Sequence, residues 1–163
     1  MELAANVAKL RNVTWGDSQL LYDWRMNDQS RHMFRDTRIV PMEDHQNFLR
    51  RHLDSESKDK WFVLEIGGCP VGAIALVDFS PDAAECELSR LVIAPEHRGK
   101  GYGKRAIQMA SDYAASRGVR RFHAEVDAQN DRSLGAFLHL GFREQRRRAD
   151  QSRTFCWLTK ELS

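Results

Sequence analysis

The chain has 163 residues, with 25 Lys+Arg against 23 Asp+Glu and a formal net charge of +2. That length allows one domain (residues 1–163) with a real core but not two, and 42% hydrophobic with 29% charged residues is a globular rather than a disordered composition. The near-balanced charge gives no global pull towards nucleic acid or an anionic membrane, and three cysteines (Cys69, Cys86, Cys156) are too few and too odd in number for a disulfide framework, which suggests a reducing compartment.

Residues 1–10 carry an acid at Glu2 and lack the apolar run of a signal peptide. Nowhere do about 18 apolar residues follow one another, so a cytoplasmic chain with no membrane span is expected. No Cys or His pair has metal-ligand spacing, so no metal is expected. Residues 7–13 read as a first strand. Thr14 and Asp17 offer capping oxygens, and Leu20, Leu21 and Trp24 fall at helical spacing, predicting a helix over 17–28. Pro41 followed by Glu43 and Asp44 starts a second helix, with Phe48, Leu49, His52 and Leu53 on its apolar face.

The period then shortens to that of strands. Residues 61–66, a Gly67-Gly68 hairpin, residues 71–79, a Pro81-Asp82 turn and residues 85–93 read as three antiparallel strands. Pro95 ends the third, and a glycine-rich stretch over 98–103 leads into a long helix with Ala106, Ile107, Ala110, Tyr113 and Ala114 buried and a C-cap at Arg117-Gly118. Residues 121–126 form another strand and 133–140 another helix. Residues 144–148 and 154–158 close as a hairpin around Ala149-Asp150. The order β-α-α-β-β-β-α-β-α-β-β describes one α/β domain with a mixed, mostly antiparallel sheet flanked by helices.

The chemistry concentrates after the third strand of that trio. Arg98-Gly99-Lys100-Gly101-Tyr102-Gly103-Lys104-Arg105 joins a buried strand to a helix start. Its glycines let backbone N–H groups converge, and the helix dipole behind them favours an anion such as a phosphate or pyrophosphate. A glycine-rich helix cap is the plainer reading of the loop by itself. It is neither a Walker loop nor a dinucleotide fingerprint, since Ser or Thr does not follow the lysine and the glycine spacing differs.

Arg98-Gly99-Lys100-Gly101-Tyr102-Gly103 resembles the R/Q-x-x-G-x-G/A signature of the GCN5-related N-acetyltransferase (GNAT) superfamily. The preceding Leu91-x-Ile93-x-Pro95 is similar to that family's splayed strand, and Asn130-Asp131-Arg132-Ser133 with Phe137 and Gly141-Phe142 resembles its second motif. The resemblance covers about residues 7–160. It implies acetyl-CoA as cosubstrate: Leu91, Val92 and Ile93 would pair with the pantetheine arm through main-chain groups, Gly99, Lys100, Gly101, Tyr102, Gly103 and Lys104 together with Arg98 would hold the pyrophosphate, and Asn130 would reach the arm through its amide. Asn130 also suits a plain helix N-cap.

Glu87, by resemblance to the glutamate base of histone acetyltransferases, is the expected catalytic base, with Glu85 two residues earlier on the same face as the alternative. Cys86 alternates away and reads as core. The tyrosine that serves many family members as general acid is Phe137 here, so that role does not carry over. His139 sits beside it on the helix but faces away. A backbone N–H near Val92 or Ile93 would hold the oxyanion.

The acceptor site is expected from the first two helices and the terminal hairpin. Trp24, Arg25 and Asn27, followed by Arg31 and Glu43-Asp44-His45, resemble N-acetyltransferases acting on nucleotide-linked amino sugars, with Trp24 as core filler the competing reading. Ribosomal-protein N-terminal, polyamine and aminoglycoside acetylation, and a weakly catalytic CoA-binding regulator, are the other readings. The partner is expected to be a small-molecule amine, with a homodimer possible through an edge strand. The basic run at 143–148 reads as a solvated strand rather than an RNA contact, with Arg146 and Arg148 on one side and Arg147 on the other.

Overall fold

Strand-period segments build the frame of the molecule. The structure, a computed structural model, describes residues 7–54, 56–79 and 84–163. Strands β1 (Ala8–Asn12), β2 (Lys60–Ile66), β3 (Cys69–Val77) and β4 (Glu85–Ile93) pair antiparallel in sequence order. Strand β5 (Arg121–Asp127) joins β4 in parallel, and β7 (Arg153–Glu161) and β6 (Arg143–Asp150) complete the order β1-β2-β3-β4-β5-β7-β6. The expected Pro81-Asp82 turn and residues 1–6 lie outside the described residues. No helix among the described residues is long and apolar enough to cross a membrane.

The first predicted helix is broken in two. A 3-10 turn at Trp15–Asp17 leads into α1 (Ser18–Met26), and the chain then extends at Asn27 before the short α2 (Asp28–Arg31). Asn27 causes the break and repairs it, because its side chain accepts from Gln29 N–H at 3.0 Å and so caps the new helix. Helix α3 (Met42–Leu53) follows Pro41 and has Glu43 and Asp44 in its first turn and Arg50, Arg51 and His52 in its last, which matches the dipole at both ends. Leu49 on its inner face is fully buried, whereas Leu53, expected beside it, is exposed at the helix end.

Helix α4 (Tyr102–Ala115) lays Ala106, Ile107, Ala110 and Ala114 on β3 and β4, and α5 (Asp131–His139) packs beside it. Two cores result, one on each face of the sheet. Phe62, Leu64, Ile74, Leu76, Cys86, Leu88 and Phe122 meet α4 and α5 on one side. Val13, Val63, Ala73, Val92 and Ala94 meet Leu21 and Trp24 of α1 and Leu49 of α3 on the other. The terminal hairpin forms, but its strands run through Ala149-Asp150 and turn at Gln151, which takes φ 55.

Edge strand β6 is exposed throughout and carries a bulge between Glu144 and Arg146, and its charge and irregularity discourage edge-to-edge pairing. Three of its four arginines are occupied within the chain. Arg146 stacks over Trp157, Arg148 bonds Glu125 at 2.9 Å, and Arg147 turns to Glu144 on the other side.

What positions the site is the parting of β4 from β5. Their ladder joins only Glu85 to Arg121, Cys86 to Phe122 and Glu87 to His123. Beyond Glu87 the β4 edge has no strand partner, while its other edge stays paired with β3. A bulge lies in this stretch: Ala75 faces Ser89 and Ala73 faces Val92, so Arg90 and Leu91 share one position on β3, and Arg90 adopts φ 53. Gly72 permits the tight pairing, since a Cβ there would lie 2.5 Å from the Val92 carbonyl oxygen.

Candidate active site

Two cavities open on either side of the parted strands, of about 710 and 700 Å3. They share Met33, Phe34, Leu91, Val92, Asn130 and Ser133, so the unpaired edge of β4 is the wall between them.

The second cavity is built largely from backbone. Leu91, Val92 and Ile93 line one side, and Gly99, Gly101, Tyr102, Gly103 and Lys104 line its end at the start of the 14-residue α4. Gly99 and Gly101 both take φ 79, a left-handed conformation in which a side chain is strained, and nothing lies within 4 Å of where their Cβ atoms would stand. The open amides, the dipole and the free strand edge therefore form a continuous cradle for an extended arm ending in phosphates. Acetyl-CoA fits that cradle: residues 91–93 and Asn130 would hold its arm, and the loop amides its pyrophosphate.

The cationic side chains of the loop are distributed differently from expectation. Arg98 turns inward: Nε donates to the Ile93 carbonyl at 3.1 Å, and its remaining nitrogens reach Gln29 Oε1 at 3.2 Å and the Ser30 hydroxyl. Burial, with the nearby Arg132 charge second, lowers its pKa. Arg98 is thus a strut fixing the loop to α2. Lys100 and Arg105 are exposed and do not line the cleft, which leaves Lys104 and Arg132 beside Arg98 as the cations on its wall. Arg132 follows the N-cap Asn130, whose side chain accepts from Ser133 N–H at 3.3 Å. Its position in the first turn of a helix facing a phosphate cradle is a signal the sequence carried.

The first cavity is built from side chains of many elements. Arg25 of α1, His45 and Phe48 of α3, Trp61 of β2, Glu87 and Arg90 of β4 and Phe137 of α5 all reach it. The segment 32–40 roofs it and is tied down at several points. Arg153 donates to the carbonyls of Phe34 (2.8 Å), Arg35 (3.1 Å) and His32 (3.3 Å) while holding Asp127. Arg31 donates to the Thr37 carbonyl and Tyr22 to that of Val40. His45 is buried with Nε2 2.9 Å from the Ser18 carbonyl, so Nε2 carries the proton, and burial pulls its pKa below 6.5.

Glu87 faces this cavity with its side chain 19% exposed and an oxygen 3.9 Å from His123 Nε2. Glu85 does not line it and lies 3.6 Å from Arg121 at the surface. Cys86 is buried, and burial, with Glu85 and Glu87 adding, pushes its thiol up to about 12, as suits core rather than a nucleophile. Phe137 is buried against Phe142 at the cavity floor, and His139 is exposed. Ser133 carries the one hydroxyl among the residues both cavities share.

Of the three residues expected around the acceptor, only Arg25 reaches the cavity. Trp24 is 5% exposed and fills the core between α1 and the sheet, and Asn27 caps α2. The helical repeat that puts Trp24 on the inner face turns Arg25 by about 100° onto the cavity wall. Arg90 was missed. Its signal in the sequence is an arginine just before the apolar run Leu91-Val92-Ile93 of a strand.

Residues 19–142 match the acetyltransferase (GNAT) family, and the chain belongs to that family. Among curated relatives, spermidine N(1)-acetyltransferase of Escherichia coli (strain K12) is 29% identical over 93 residues, 56% of this chain and 49% of the relative. The matched part thus spans about half the length of that relative. Among solved structures, spermidine N-acetyltransferase from Vibrio cholerae in complex with CoA and spermine superposes with a TM-score of 0.82 at 18% identity, covering 94% of this chain and 95% of that one. An acetyltransferase from Thermus thermophilus gives a TM-score of 0.76 at 26% identity over 97% and 99% of the two chains.

Proposed function

We propose that this chain is an acetyl-CoA-dependent N-acetyltransferase in which a small primary amine attacks the thioester directly. The carrying observation is the free edge of β4, which separates a backbone-built cradle from a cavity holding a half-buried carboxylate, Glu87. Bound acetyl-CoA supplies an activated carbonyl at that wall. Glu87 takes the ammonium proton, directly or through water, so that the nitrogen lone pair is free as the N–C bond forms and the C–S bond breaks. A backbone N–H at Val92 or Ile93 donates to the carbonyl oxygen as its charge grows. The departing sulfur takes a proton from water, and the second proton of the nitrogen, shed as the amide forms, returns to water in exchange; Ser133, which lines both cavities, is the candidate relay.

The named relatives lend no support to a nucleotide-linked amino sugar as acceptor. They favour a polyamine in its place. A weakly catalytic CoA-binding role is favoured by one observation, the hydrocarbon side chain of Phe137 where many family members carry a tyrosine. The test is thiol release from acetyl-CoA over a panel of amines, with Glu87→Gln as control and CoA-dependent thermal stabilisation measured alongside. Stabilisation by CoA with turnover of at least one amine, lost in Glu87→Gln, is expected. Stabilisation without turnover of any amine would leave only the binding role.

A further inference from the structure

The acceptor cavity holds two cationic groups whose buried nitrogens have no partner. Among the described residues, Arg25 Nε and an Nη of Arg90 are buried without a hydrogen bond. Both residues line the cavity that Glu87 faces. Three wall carboxylates are held by other arginines, Asp36 by Arg38 at 2.8 Å, Glu125 by Arg35 at 3.0 Å and Asp127 by Arg153 at 2.8 Å, whereas Asp44 and Glu87 have no arginine at ion-pair distance among the described residues and stay open to an ammonium group. Arg90 is paired with Asp59 at 3.6 Å, which does not line the cavity and is also 3.4 Å from His52 Nδ1, and the charge of Glu87 acts on it as well.

The guanidinium of Arg90 is held chiefly by ring faces. Its Cζ sits 4.9 Å from the centre of the Phe48 ring and 5.6 Å from that of Trp61, contacts that favour a cation there, and its backbone is in the left-handed region. Burial, chiefly, lowers its pKa against the opposing pull of Asp59 and Glu87. Arg25 and Arg90 line the same cavity. Two like charges with unsatisfied donors, facing one cavity, are stabilised when an anion bridges them.

We propose that the acceptor is a primary amine that also carries an anionic group, a carboxylate or a phosphate, bound by Arg25 and Arg90 while the amine reaches Glu87. This rests on the acetyltransferase reading above and names, for the same site, an acceptor class other than the polyamine that the named relatives favour. A purely cationic amine would meet Glu87 and the rim carboxylate of Asp44 but would have to approach both arginines. The new group makes no covalent change: it orients the amine.

Matched amines test it, added to the protein with CoA or acetyl-CoA bound. Glucosamine 6-phosphate is set against glucosamine, O-phosphoethanolamine against ethanolamine, and lysine against cadaverine, with spermidine as the polycation. Binding is read by calorimetry and turnover by thiol release. In at least one pair the anionic member should bind about tenfold tighter or more, with a correspondingly higher kcat/KM. Which pairs respond separates phosphate from carboxylate. Arg25→Gln and Arg90→Gln should each reduce that preference about tenfold while leaving CoA stabilisation intact. Arg25→Gln on the surface of a helix serves if Arg90→Gln fails to fold. Equal or better binding of the members without an anionic group, preference for spermidine, binding of none of these amines, or a preference that survives both variants would overturn the proposal. Selective binding of an anionic amine without acetylation would instead overturn the enzyme reading and keep the anion site.

Discussion

The two cavities share a wall but are made of different material. The cofactor cradle offers main-chain groups from one stretch, a strand edge, a glycine loop and a helix start within residues 91–104, and is closed by residues around Ser30 and Asn130. The acceptor cavity is side chain, drawn from α1, α3, β2, β4, β5, α5 and β7. A main-chain site tolerates changes of side chain and is sensitive to changes in backbone conformation. A side-chain site behaves in the opposite way. That difference explains how a cradle can be kept across a family while the other cavity is remade for each acceptor.

Substitutions should divide accordingly. The largest effect is expected for Glu87→Gln, which should lower kcat/KM by about 100- to 1000-fold while the CoA-induced rise in melting temperature is unchanged. Equal loss of CoA stabilisation would break the separation between the cavities. Next is Gly101→Val. A β-branched residue at φ 79 is strained, by about 1–3 kcal/mol, so the KM for acetyl-CoA should rise about tenfold or more with the amine KM little moved.

Arg153→Ala should do the reverse. It frees three roof carbonyls and leaves Asp127 buried and unpaired, so the amine KM should rise several-fold and stability fall by about 1–3 kcal/mol in urea unfolding. Ser133→Ala should cost about threefold in kcat if the hydroxyl relays the thiolate proton, and Phe137→Tyr should raise kcat by supplying a new acid at the floor.

The smallest effect is that of pH. Burial holds His45 and His52 below 6.5 in the folded chain, so on acidification the unfolded chain takes up protons that the folded one refuses. The contribution is complete above about pH 6.5, falls as pH drops towards the folded-state values and levels off beneath them. Urea midpoints between pH 7.5 and 5.5 should show this decline, and His45→Gln should flatten it.

Sequence periodicity shows the cradle well because its parts are neighbours in the chain. Strand, proline, glycines and helix stripe follow one another within one short stretch, and each leaves its local mark. The acceptor wall leaves no such mark. Glu87, Arg25 and Phe155 come together only through the sheet order and the roof over residues 32–40, which are tertiary facts. Arg98 shows the same limit at smaller scale. Its charge was legible, but its inward hydrogen bonds to Ile93, Gln29 and Ser30 depend on α2, whose separate existence hinges on the cap at Asn27. Trp24 and Arg25 are adjacent in sequence, yet the helix sends one to the core and the other to the cavity.

The bulge at Arg90 sets the parity of β4. Cys86 and Leu88 point into the core under α4 and α5, whereas Val92 and Ala94, also even-numbered, belong to the core on the opposite face. One extra residue resets the alternation halfway along the strand and keeps Val92 opposite Ala73, on the face that Ser89 also occupies. A regular strand through Arg90 with every residue retained would turn Val92 into the other layer. The kink at Arg90 is therefore what lets the two halves of the strand stay in register with one neighbour.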